Sequence, residues 1–132
     1  MANFLFAVSD SNWKIIKKEN VMGLSDRWGK TLFPKIKIND KCIVYITRIS
    51  VFAGIFKIIS KNVNKKIKWD KGNYLYLFKL EPLVIPKTPI PVKEHINNLE
   101  FINNKDKWFV HFQAPKQITD IDYNDILALI NK

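Results

Sequence analysis

Ser9–Leu32 reads SDSNWKIIKKENVMGLSDRWGKTL, and the rest of the chain falls into place around it. Ser9, Asp10, Ser11 and Asn12 carry short polar side chains that bond nearby backbone and open helices. Trp13 and Ile16 stand three apart, while Lys14, Lys17 and Lys18 take the other side. That is one amphipathic face over about two turns, with Trp13 directed to the core. The helix is expected to end near Asn20. Beyond it, Met22, Gly23 and Trp28 read as a second loop, in which Gly23 and Gly29 admit backbone shapes closed to other residues. A polar loop that holds a large aromatic is a ligand-gripping surface.

Outward from this stretch, strands dominate. Phe4, Phe6 and Val8 alternate with Leu5 and Ala7 as a first buried strand. The segment 41–47 sets Cys42, Val44 and Ile46 against Ile43 and Tyr45, the pattern of a central strand apolar on both faces. Asn39 and Asp40 supply the turn before it. A third strand is predicted over 51–60, with Gly54 marking a bulge or a close backbone approach, and a fourth over 74–81. Pro82, Pro86, Pro89 and Pro91 predict an extended connection in place of a regular strand. The pattern next predicts a helical turn over 92–96 and a last strand over 108–112. Thr119 or Asp120 caps a final helix whose Ile121, Ile126, Leu129 and Ile130 face inward. Strands interleaved with short helices point to an α+β mixed sheet and not to a doubly wound fold.

The ordered series strand, S-x-x-N-W, helix, N-V-M-G, K-I-N-D-K-C-I-V-Y-I and F-A-G-I-F-K-I resembles the EVE domain. That family belongs to the PUA-like group and is related to the YTH readers of methylated adenine. The resemblance runs from Phe4 to the last helix. It implies a single domain over 1–132, a PUA-like curved sheet or open barrel of about five to six strands flanked by short helices. It also implies a pocket for one flipped-out modified base. Asn12 stands ten residues before Met22, the spacing that joins the YTH base-edge residue to its first cage tryptophan; an Asn can equally cap the helix. Met22 departs from the Trp found there in most relatives, and a thioether lacks an extended π face; Trp28 is a candidate replacement wall. Trp69, in K-W-D-K-G, resembles the K-W-K-G element that carries a second wall, and its lysine-rich setting suggests stacking on a base in preference to core packing. Ser9 and Gly23 would add backbone contacts at the base edge. Ser9, Asn12, Met22, Gly23, Trp28 and Trp69 are therefore the base-binding candidates. Their common pocket is expected toward or below the small end of the usual ~300–1,000 Å³.

Composition sets the partners. The chain has 132 residues, 47% hydrophobic and 13% aromatic, enough for one core. Its net charge is +10, and all but Arg27 and Arg48 of its 22 basic residues are lysine. Lysine excess reads either as AT-rich coding or as a phosphate-holding surface. Clustering favours the second, with Lys65, Lys66, Lys68 and Lys71 around Trp69, and Arg27 and Lys30 beside Trp28, as backbone contacts. A lysine is a hydrated point charge, suited to gripping phosphate and poorly suited to reading bases. The expected partner is nucleic acid, DNA or RNA, bound by a monomer with no membrane, metal or cofactor. A protein-docking role is a further reading. One cysteine, Cys42, forms no internal disulfide and suits a reducing cytoplasm. Only His95 and His111 are present, with no metal spacing and no nucleophile elbow. Asp10, Asp26 and Asp70 keep a hydrolase as the alternative to a non-enzymatic binder.

Overall fold

The computed structural model describes residues 1–70, 72, 74–99, 101–102, 106–112 and 114–131. Its elements run β1 (Asn3–Val8), α1 (Asp10–Glu19), β2 (Val21–Leu24), α2 (Asp26–Leu32), β3 (Lys41–Ile46), β4 (Val51–Ser60), β5 (Tyr76–Val84), β6 (Ile90–Pro91), β7 (Lys116–Ile118) and α3 (Asp120–Ile130). Short 3-10 turns occupy Phe33–Lys35, Lys93–Asn98 and Trp108–Phe112. The sheet order is β2-β5-β4-β3-β1-β7, and β6 pairs with β4. Among the described residues, β1 with β3 is the one parallel pair; the others are antiparallel.

Alternation along the central strands divides the interior in two. Phe4, Phe6, Cys42, Val44 and Ile46 face one core with Trp13, Ile16, Met22, Phe56, Trp69 and Phe78. Leu5, Ile43, Tyr45, Phe52 and Ile55 face the other, under Val92, Leu99, Phe112 and α3. Phe4, Cys42, Ile43 and Val44 are wholly inaccessible, as a strand covered on both faces requires. Burial pushes the Cys42 thiol well above its usual range. Buried Asp40 ties the layers together by accepting from the backbone N–H of Ala2 at 2.9 Å and of Lys37 at 2.8 Å.

Several segments differ from expectation for identifiable reasons. The predicted loop after Asn20 is the strand β2 followed by the helix α2; Val21, Met22 and Leu24 are buried by pairing with β5. The strand predicted over 108–112 is a 3-10 turn. Its ends, Trp108 and Phe112, pack at 6.1 Å, a contact that one helical turn permits and an extended strand does not. The last strand is β7 instead. The fourth strand starts two residues late and continues through Pro82, which sits opposite Phe56 where the register slips; a bulge tolerates the missing N–H. Gly54 lies beside a second register shift, between Val44 and Tyr45. Thr119 caps α3 by accepting from the Asp122 N–H. That cap sets a phase in which Asp122, Tyr123, Ile126, Leu129 and Ile130 face inward, leaving Ile121 64% exposed.

Gly29, buried in α2, lies against the Tyr76 ring so closely that an added Cβ would stand 2.0 Å from Cδ2. Overpacking of this kind costs about 1–3 kcal/mol. Gly29→Ala is therefore expected to lower the urea midpoint with an unchanged slope, although alanine is the better helix former. An unaltered midpoint would show that Tyr76 moves aside freely.

Candidate functional site

Ser9 is the N-cap of α1, and its Oγ accepts from the Asn12 N–H at 3.1 Å. The cap leaves the Asn12 side chain free for another task. Its Oδ1 accepts from the Asp70 N–H at 3.0 Å, and it also bonds the Tyr74 hydroxyl. The Ser9 hydroxyl donates to Asp70 Oδ2. The N-terminus of α1 is thus stitched to the turn at Trp69–Gly72, which is closed by two backbone bonds of 3.0 and 3.1 Å. Asn12 is only 6% exposed, and these bonds engage part of the four-position capacity of its amide.

These elements enclose a cleft of about 680 Å³. Ser9, Asn12, Met22, Gly23, Trp28 and Trp69 all line it, in a volume larger than that expected of a slot for one base. The structure brings Tyr74, Asp26 and Asp70 to the same walls. Trp69 is only 3% exposed and belongs to the core, contrary to the expectation drawn from its lysine-rich neighbours. The chain folds the lysines outward and the indole inward. The Tyr74 ring stacks on Trp69 at 5.4 Å and 20°. Being half-buried, Tyr74 is the more accessible ring of the pair. The Trp69 Nε1 is buried and has no hydrogen-bond partner among the described residues, an orphan donor of the kind that calls for an explanation. Met22 is 1% exposed and forms part of both the core and the cleft wall.

Gly23 is essential to this wall. A Cβ there would stand 2.8 Å from Tyr74 Cδ2 and 3.0 Å from Trp69 Cε2, so the rings approach β2 only because Gly23 has no side chain. Trp28 lies on α2 with the Arg27 guanidinium 4.9 Å above its ring. Lys30 is exposed on the same helix.

The lysines 65, 66 and 68 do not line the cleft. With Lys18, Glu19, Ile15 and Ile67 they form a separate groove of about 360 Å³ against α1, and Lys65 is paired to Glu19 at 3.2 Å. Lys71 lies outside the described residues. Tyr45 is stacked on Phe112 at 4.2 Å in the opposite core, and Asp10 pairs with Lys14 at 3.6 Å. Neither borders the cleft. Among the described residues, no cluster of three His, Cys, Asp or Glu groups is placed to hold a metal, and no helix is long and apolar enough to cross a membrane.

Sequence pattern alone hides Tyr74, because Tyr-Leu-Tyr-Leu-Phe reads as continuous strand; its place five residues after Trp69 is the available signal. Burial pushes its hydroxyl above the usual phenol range, the Asn12 hydrogen bond opposes the shift, and the Asp70 carboxylate adds to it. Burial likewise raises Tyr45 and Tyr123. A phenol raised in the folded state contributes stability below its unfolded value of about 10 and loses it as pH climbs through the folded value. Tyr74→Phe should therefore flatten the alkaline fall in urea stability, and Asp70→Asn should bring the Tyr74 midpoint down in an ultraviolet titration. A Tyr74→Phe profile superimposable on the parent would show that the hydroxyl is indifferent to folding.

No family model matches the chain. A UPF0310 protein of Pyrococcus horikoshii is 28% identical to it, over 98% of this chain and 99% of its own length. Among solved structures, the Mmi1 YTH domain complexed with RNA superposes with a TM-score of 0.73 at 11% identity, covering 98% of this chain and 77% of that one. The Pho92 YTH domain in complex with m6A gives 0.69 at 15%, covering 99% and 84%. The fold is YTH-like, a curved mixed sheet flanked by short helices.

Proposed function

We propose that this chain is an EVE-type reader, a binding module without catalysis that takes one extruded modified base of RNA or DNA into its cleft. The observation that carries this reading is the convergence of Met22, Gly23, Trp28, Trp69 and Tyr74 around one cleft, with Asn12 at its wall. The likeness in fold to an RNA complex and an m6A complex lends support. Extruding a base costs a few kcal/mol of stacking, and one aromatic platform returns about 1–3 kcal/mol. Tyr74 offers the accessible ring, Trp69 backs it, and Met22 and Trp28 supply the remaining apolar surface. Asn12 holds Asp70 and Tyr74 in place and retains some capacity for a base edge. Lys66 and Lys68 lie within three residues of Trp69, so the groove behind α1 is within reach of the flanking phosphates. Arg27 and Lys30 would serve the same purpose on α2. The protein acts as a monomer in the reducing cytoplasm that suits Cys42.

Three substitutions separate grip from readout. Replacing Lys66 and Lys68 with Gln should weaken all single-stranded oligonucleotides alike and shrink the logarithmic salt slope by about 0.7 for each phosphate no longer neutralised. Tyr74→Ala should cost about 1–3 kcal/mol with the slope nearly intact. Asn12→Ala should reduce discrimination among bases more than overall affinity. Mass spectrometry should recover every modified nucleoside unchanged after incubation. Equal losses across the three variants, with no modified base preferred by the parent, would reduce the protein to a generic basic domain. Turnover abolished by Asp26→Asn would instead make it a hydrolase.

A further inference from the structure

The cleft contradicts the charge of the molecule that surrounds it. In a chain of net charge +10, the charged residues lining the cleft are Asp26 and Asp70, and among the described residues no lysine or arginine joins them. Asp70 is held in place, with one carboxylate oxygen accepting from Ser9 and its own N–H given to Asn12. That arrangement engages Oδ2, and Oδ1 is the oxygen a ligand would meet. The N-termini of α1 and α2 together offset roughly one charge, which leaves the described lining net negative. Arg27, over the outer aromatic Trp28, lies outside the lining. A phosphate is repelled from such a site. A ring bearing positive charge is attracted twice, by the carboxylates and by the ring of Tyr74. The Trp69 Nε1 is a second and independent mark of an incomplete site, since that indole lines the cleft and its donor has no partner among the described residues.

We infer that the modified base this cleft selects is one whose ring methylation fixes a positive charge, in preference to its neutral methylated isomer. This ligand preference rests on the reader function proposed above and makes it specific. The two carboxylates supply the selectivity: Asp70 from the wall joined to α1, Asp26 from the first turn of α2. The opposite charge, on the phosphates, falls to the separate groove that Lys65, Lys66 and Lys68 form against α1. One ligand thus meets two surfaces of opposite sign, and a nucleotide with a cationic base and an anionic backbone matches both.

Isomeric oligonucleotides isolate charge from size. Short single strands carrying 3-methylcytosine or 5-methylcytosine, and 1-methyladenine or N6-methyladenine, differ within each pair only in where the methyl sits and whether the ring is cationic at neutral pH. The parent protein should bind the cationic member of at least one pair about tenfold more tightly by fluorescence anisotropy, the ratio equivalent to 1.4 kcal/mol. Asp26→Asn with Asp70→Asn should bring that ratio near one while leaving the melting temperature close to the parent's, since both side chains are exposed. Asp70→Asn alone guards against misfolding of the double variant and should lower the ratio part of the way. Equal or tighter binding of the neutral isomer in both pairs would overturn the inference and leave the reader assignment standing. A cationic preference that survives both substitutions would overturn the role of the carboxylates. Binding of no modified strand above its unmodified parent would overturn both the preference and the reader function.

Discussion

Parallel pairing of β1 with β3 is the constraint from which the rest of the molecule follows. Two parallel neighbours cannot be joined by a tight turn, and the chain must cross over from the end of one to the start of the other. Here Ser9 to Asp40 makes that crossing. The crossover is unusual in depositing a strand of its own: β2 leaves α1 and joins the far side of the sheet beside β5. The connection therefore spans the sheet from β1 to its opposite edge, and α1, β2 and α2 become three walls of one depression. The turn after Trp69 closes the fourth side.

Local bonds then convert a depression into a defined site. The Ser9 hydroxyl both caps α1 and grips Asp70, so the start of the helix and the position of a cleft carboxylate are set by one atom. Asn12, one turn in, bonds the same loop from its buried side. These bonds join residues 58 and 61 positions apart in sequence, and a loop pinned at both positions cannot drift relative to the helix. Rigidity obtained this way leaves the apolar wall of Met22, Gly23 and Tyr74 to be shaped by packing alone.

The sheet is largely legible in the sequence, because its central strands alternate between two apolar faces and few other structures tolerate that pattern. Lys41–Ile46 is the clearest case. Short elements are not legible. β2 has four residues and a glycine, α2 has seven and another glycine, and neither length carries a period that distinguishes it from a loop. Trp108–Phe112 misleads for the related reason that five large residues fit a strand or a turn equally well. The cleft is legible at Ser9, Asn12, Met22, Gly23, Trp28 and Trp69, as positions that meet around one volume. It is not legible in its electrostatics: whether a lysine beside Trp69 faces the indole or the back of α1 depends on the path of the turn, and composition holds no record of direction.

Both margins of the sheet are short. β2 ends it on one side with four residues and β7 on the other with three. An unpaired strand margin is a template on which a second chain can extend the sheet, and the risk grows with its length and flatness. Each edge strand covers only part of its neighbour: among the described residues β5 runs on past β2 from Glu81 to Val84, and β1 past β7 from Phe6 to Val8, while the longest strand, β4, is paired on both sides. Pro82 falls within the uncovered stretch of β5, and its missing N–H blunts that margin as a template for an added strand.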